Sequence, residues 1–200
     1  VTNGHIHTTA LAYGDWNNSE SLSWSVVPTL AISSNQARHS RSLNGSAFRV
    51  DGHLIWQKPL HNNSRYYMGG CASALTGDYG LIPVLAIQYQ NDNVGLLLGY
   101  PYSQFDMQLM SRLRFVASWS LAGQQWQVLD KFLQNRSDLH LASEQVKLGI
   151  QMKLTKNNLL EAYWLDHINR AMEYLDQNGN MVEVDMDNSY GWMISYTYLM

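Results

Sequence analysis

The chain is 200 residues long with a formal net charge of −3, and only 14% of it is charged, against roughly 25% in soluble proteins. A pI near 6.1 and the lack of any Lys/Arg cluster exclude a nucleic-acid binder. No apolar run approaches the roughly 18 residues of a spanning helix, which excludes a helical membrane protein; the longest, Leu81 to Ile87, holds Pro83.

A β-barrel survives these exclusions, because its lumen-facing half is polar and lowers the mean hydropathy, here −0.27. The aromatic content of 12% is weighted to 12 Tyr and 7 Trp over 4 Phe, a balance that suits membrane interfaces. The single cysteine, Cys71, has no intramolecular disulfide partner, in keeping with an oxidising compartment. Val1 is not an initiator Met and no signal peptide is present, so the chain reads as a mature or trimmed one whose signal was removed.

In chain order, His5 to Tyr13 has strand composition with mixed faces, and Asp15 to Ser19 is a turn cluster. The clearest strand follows. Leu22, Trp24, Val26, Pro28, Leu30 and Ile32 share one face, and Ser21, Ser23, Ser25, Val27, Thr29, Ala31 and Ser33 share the other. About twelve residues of dyad pattern exceed the usual soluble strand of about 5–6 and suffice to cross a bilayer at a tilt, which takes about 9–11. Pro28 within it calls for a bulge. Ser33 to Ser46 reads as a long polar loop. In the next strand Phe48, Val50, Leu54 and Trp56 alternate with Arg49, Asp51, His53 and Gln57. Ionisable groups in a row on one face are costly in a soluble core and natural where that face meets water.

After a turn at His61 to Ser64, Arg65 to Leu75 is a strand of small residues, and Thr76 to Gly80 turns again. Leu81 to Gln90 and Val94 to Tyr100 are strands joined by Asn91-Asp92-Asn93. The apolar parity then shifts, so a bulge or a turn lies at Tyr100 to Ser103. Leu113, Phe115, Ala117 and Trp119 alternate with Arg112, Arg114, Ser118 and Ser120. A turn at Ala122-Gly123-Gln124 leads into Gln125 to Phe132, and Gln134 to Asp138 is a loop. Val146, Leu148, Ile150, Met152 and Leu154 oppose Gln145, Lys147, Gly149, Gln151 and Lys153. Asn158 to Tyr174 has some helical composition, but a tight turn at Thr155 to Asn158 joins it to a clear strand, so it is assigned as a strand. Leu175 to Asn188 reads as an acidic loop. The last strand carries Tyr190, Trp192, Ile194, Tyr196 and Tyr198 on one face, and is expected to close a barrel against His5 to Tyr13.

There is no internal repeat, linker or second domain. The reading is a single all-β domain over residues 1–200: an antiparallel up-and-down transmembrane β-barrel of about 12 strands, with 10 as the alternative if Arg65 to Leu75 belongs to a loop. Trp24, Trp56, Trp119, Trp164 and Trp192 all fall on the apolar face, which would then be the lipid face.

The stretch Leu81-Ile82-Pro83-Val84-Leu85-Ala86-Ile87-Gln88-Tyr89, followed by Leu96-Leu97-Leu98-Gly99-Tyr100-Pro101 and Tyr102-Ser103-Gln104-Phe105, resembles the "LLPxxGxxY … GxP" hairpin of a family of uncharacterised Gram-negative outer-membrane β-barrel proteins. The resemblance covers about half the chain, Leu81 to Tyr174. It implies a barrel in the outer membrane and implies no activity. Such barrels commonly end in an aromatic; here Met200 is last and Tyr198 lies two residues before it.

No catalytic motif appears: no Gly-x-Ser-x-Gly, His-Glu-x-x-His, P-loop or Gly-x-Gly-x-x-Gly. His5 and His7 share a face but lack further metal ligands, and Asp166 and His167, being adjacent on a strand, point to opposite faces. The set worth following is Arg49, Asp51, His53, Arg112, Arg114, Lys147 and Glu161, all on the polar face. It is read first as the ion-paired filling of a narrow barrel, and otherwise as a solute filter or a rim site of a lipid-modifying enzyme. The expectation is a structural or partner-binding outer-membrane component, with a narrow solute pore as one form, no enzymatic activity and no cofactor. Its surroundings are outer-membrane lipids, with another envelope protein as partner and no nucleic acid. The alternatives are a lipid-modifying barrel enzyme and a soluble lipocalin-like barrel, in which the large residues would point inward.

Overall fold

Dyad alternation along the chain becomes strand throughout. The computed structural model describes residues 6–10, 13–15, 22–33, 47–61, 63–129, 136–155, 157–175 and 180–198, and no helix occurs among them. The strands are β1 (Ile6–Ala10), β2 (Tyr13–Asp15), β3 (Leu22–Ser33), β4 (Phe48–His61), β5 (Ser64–Ser73), β6 (Gly80–Gln90), β7 (Val94–Tyr100), β8 (Tyr102–Met110), β9 (Leu113–Leu121), β10 (Gln124–Leu129), β11 (Arg136–Lys153), β12 (Asn158–Leu175), β13 (Met181–Met186) and β14 (Ser189–Tyr198).

Three pairs of these keep one register along a shared partner strand. Along β3, Ala10 faces Thr29 and Tyr13 faces Val26, so β1 and β2 keep one register. Along β12, Met186 faces Arg170 and Ser189 faces His167, so β13 and β14 do the same. Along β11, Leu121 faces Glu144 and Gln124 faces Leu141. The Ala122–Gly123 step between β9 and β10 is therefore not the turn expected there; the chain runs straight on. Glycine at 123 serves a close approach instead: its N–H donates to Leu75 O at 2.8 Å, and a Cβ there would lie 2.5 Å from that same oxygen.

Nine strands close a ring in the order β3-β4-β5-β6-β7-β8-β9-β11-β10, with β10 returning to β3. The closing contact is parallel, Gln127 opposite Ile32, and every other pairing is antiparallel. The β1/β2 ribbon, β12 and the β13/β14 ribbon lie outside the ring. The barrel thus closes with nine strands and not with about 12 or 10, and β14 pairs with β12 where pairing with the first strand was expected. Unequal strand lengths are the cause. β8 pairs with β9 only as far as Ser120, which leaves the same edge of β10 open beyond it. The β4 ladder on β3 ends at Leu30–Phe48, with one more bond from Ala31 N–H to Ala47 O at 2.9 Å, which leaves Ile32 and Ser33 open on that edge. The two uncovered ends meet, and Ala31, Trp126 and Val128, with Leu139 and Leu141 packed against them, form the small apolar core at the seam.

Other local expectations are resolved as follows. The β3–β4 register passes through Pro28 opposite Val50 without the expected bulge. Tyr100–Pro101 is a cis peptide in a turn that divides β7 from β8, the second of the two options for that segment. Asn158 to Tyr174 is strand, within β12. β11 runs 18 residues and absorbs the end of the expected 134–138 loop, and Met181–Met186, expected in a loop, is an edge ribbon on β12. One bulge lies where Ala142 faces Ala171 but Glu144 faces Ile168. The extra residue is on β12, and Asn169 takes φ 50° there, a conformation that Asn tolerates well. The segment Ser33 to Ser46 falls outside the described residues beyond Ser33, as do the turn cluster after Asp15 and residue His5.

The alternation leaves apolar side chains outside. On β6, Leu81 is 87% exposed, with Leu85, Ile87 and Tyr89 exposed after it, while Ile82 and Ala86 on the opposite face are buried. On β14, Trp192 is 74% and Ile194 78% exposed. Leu54 and Trp56 on β4, Leu98 on β7, and Leu148 and Ile150 on β11 repeat the pattern.

Candidate functional site

The inward face follows from the registers. His53 pairs with Cys71 and Cys71 with Ile82; Asp106 pairs with Gly95 and Val116; Lys147 pairs with Ser118 and Leu165. Residues paired across strands share a face, so Arg49, Asp51, His53, Arg114, Lys147 and Glu161 all lie on the concave polar side, as the alternation required. Arg112 does not. It occupies the Ser111–Arg112 turn before β9, exposed, beside an open depression lined by Ser111, Lys153 and Thr155. The dyad pattern carries no information about where a strand begins, and β9 begins one residue later.

The inward residues form separate clusters. At the seam, Arg49 Nε donates to both Asp51 oxygens at 3.1 Å. Thr29 Oγ1 donates to Asp51 Oδ2 at 2.6 Å, and Arg49 Nη1 donates to Gln125 O at 2.7 Å. Arg49 and Asp51 are two apart on one strand face, and the guanidinium ties β4 to β10 across the closure. One pleat further along β4, His53 Nδ1 shares a hydrogen bond with Ser25 Oγ at 2.7 Å.

A second cluster pairs Arg114 Nη1 with Asp106 Oδ2 at 3.1 Å. Asp106 is 6% exposed. Gly95 opposite makes room for it: a Cβ at that position would overlap Asp106 Oδ1 and come within 2.7 Å of Gln90 Oε1. Sequence reasoning named Arg114 but not its partner, although Asp106 stood in a visible polar column with Gln104 and Gln108. What joins them is the hairpin register of β8 and β9.

The third cluster spans β11, β12 and β14. Glu161 Oε1 accepts from Gln151 Nε2 and from Tyr163 OH, each at 2.7 Å. Its Oε2 accepts from Ser195 Oγ at 2.8 Å. Lys147 Nζ sits 3.7 Å from the centre of the Tyr163 ring, a cation–π contact. Tyr163 is 1% exposed, and Gly149 opposite admits it, since a Cβ at Gly149 would overlap Tyr163 Cδ1 and Ala162 O. A buried Tyr ring fitted over glycine had no local signal beyond the glycine itself. Asp166 and His167 point to opposite faces as expected, and His167 Nε2 lies 3.1 Å from Gln145 Nε2. His7's side chain, like His5, is outside what the structure describes.

Between these clusters lies a cavity of about 410 Å³ under the β7–β8 turn, with His53, Tyr67, Cys71, Gln88 and Tyr102 among its lining. Tyr67 OH donates to Gln88 Oε1 there. Among the described residues no three of His, Cys, Asp and Glu gather as metal ligands. Compared with known proteins, the chain matches no family model, no curated protein and no solved structure.

Proposed function

We propose that the protein is an integral β-barrel of the bacterial outer membrane, a structural or partner-binding component of the envelope whose interior is packed with bonded polar side chains. The observation that carries this is the inverted distribution of side chains. On the ring, Leu54, Leu85, Ile87, Leu98, Leu148 and Ile150 face outward and exposed, while Arg49, Asp51 and Asp106 face inward and bonded; the strands outside the ring repeat the pattern, with Trp192 and Ile194 exposed on one face and Glu161 bonded on the other. A water-soluble protein rarely leaves so much contiguous apolar surface bare, and a lipocalin-type barrel would turn its large residues inward. Hydrocarbon is the solvent that suits the outer face, and alternate apolar-out, polar-in strands are what a membrane barrel requires. The mutual neutralisation of the lumen charges favours a filled interior over a solute filter, which would keep charge unpaired along a path.

The reading is tested by refolding the chain into phospholipid vesicles whose acyl chains carry bromine at different depths. Trp192 and its neighbour in space Trp164, whose rings meet edge to face at 4.8 Å, should be quenched, and the unboiled protein should migrate anomalously in denaturing gels. A chain that stays soluble without detergent, with unquenched tryptophans, ends the proposal.

A further inference from the structure

On the inward face the polar clusters bond side chain to side chain; under the β7–β8 turn an apolar wall stands beside the Tyr67–Gln88 bond. There Ile55, Val84, Ala86 and Leu97 stand at inward positions of β4, β6 and β7, breaking the rule that apolar residues face out. Small residues hollow the wall behind them: Gly69 faces Ile55 and Val84, and Gly99 faces Ala86. The result is the cavity of about 410 Å³, within the range of about 300–1,000 Å³ that takes small organic ligands.

We propose that this cavity binds a small neutral aromatic compound carrying one hydroxyl or amine group. The apolar body is set by Ile55, Val84, Ala86 and Leu97. The preference for a flat ring comes from Tyr67, Tyr100 and Tyr102 in the lining, since aromatic side chains favour stacked or edge-to-face contact with another ring. The single polar group is set by Gln88. Its carbonyl oxygen already accepts from Tyr67 OH, and its amide nitrogen, with no partner among the described residues at this site, can donate to one ligand oxygen or nitrogen. Neutrality follows because no Lys, Arg, Asp or Glu lines the cavity, and an ion would be stripped of water with nothing to replace it. The site belongs to the ring itself, so it does not depend on what surrounds the outer face.

The probe is 1-naphthol, with naphthalene-1-sulfonate as the charged control. The full chain in lipid nanodiscs is dialysed to equilibrium against each, beside empty discs of equal lipid; if the chain proves soluble, the same dialysis runs in buffer, so this test and that of membrane insertion fail separately. The expected result is a saturable excess of 1-naphthol approaching one per chain and no excess of the sulfonate. Ala86→Phe, which fills the cavity, should abolish the excess. Leu97→Gln, which puts a polar group into the apolar wall with little change of volume, should weaken binding about tenfold and decides the matter should Ala86→Phe fail to fold. No excess in the wild type, equal binding of the sulfonate, or binding unchanged by Leu97→Gln overturns the proposal.

Discussion

Leu148 offers a quantitative test of whether the outer face meets hydrocarbon. It lies outward on β11, opposite Ala117 at the centre of β9 and opposite Trp164 on β12, and is 43% exposed. Five residues separate it from Lys153 at the strand end, which at about 3.4 Å each is about 17 Å along the strand. With a strand tilt of 35–45°, that is about 13 Å of depth, half of an apolar band about 25 Å tall. Leu148→Arg therefore puts a charge at the bilayer midplane and should cost about 2–4 kcal/mol. Met152→Arg, on the same face one residue from the strand end, should cost about 0–1 kcal/mol. The assay is reversible urea titration of the protein folded in phospholipid vesicles, followed by tryptophan fluorescence. On a water-exposed surface both substitutions would fall within about 0.5 kcal/mol of wild type. Equal and small costs, or a larger cost for Met152→Arg, would refute the assignment of a lipid face.

Three further outcomes follow from the interior. Glu161→Leu strips the acceptor from Gln151, Tyr163 and Ser195 and should destabilise by about 1–3 kcal/mol for the donors left unpaired; a urea midpoint equal to wild type would remove the network from the account. Gly149→Val drives a side chain into Tyr163 and the Ala162 carbonyl, so the refolding yield read by the heat-shifted gel band should fall sharply, with an unchanged yield counting against the tight fit. In planar bilayers the wild type should show no stepwise conductance, because Arg49–Asp51 and Arg114–Asp106 are paired with each other; regular steps of fixed size would replace the filled interior with a pore.

Much of the site was legible because a strand's side-chain period is local. Once Leu22 to Ile32 and Phe48 to Trp56 are seen to alternate, the inward placement of Arg49, Asp51 and His53 follows, and the same holds for Arg114, Lys147 and Glu161. The Arg49–Asp51 pair is also local, since both sit on one strand two residues apart. Partners on other strands are different. Asp106 meets Arg114 only through a hairpin register, and Glu161 meets Ser195 across 34 residues of chain. The apolar cavity was hidden for the same reason: Ile55, Val84 and Leu97 are unremarkable in their own strands and meaningful only side by side. Met181–Met186 was read as loop because Glu183 and Asp185 make it polar; its strand state comes from the long β12, which offers it a ladder.

What the amino-acid sequence determined by itself is therefore the strand identity of most segments and which face of each is apolar, because both depend on neighbours one and two residues away. What only the tertiary structure decided is how many strands close and where. The seam at Gln127 and Ile32 exists because β10 outruns β8 and β3 outruns its ladder with β4, and the relative lengths of strands far apart in the chain are a property of their pairing, which no local pattern encodes.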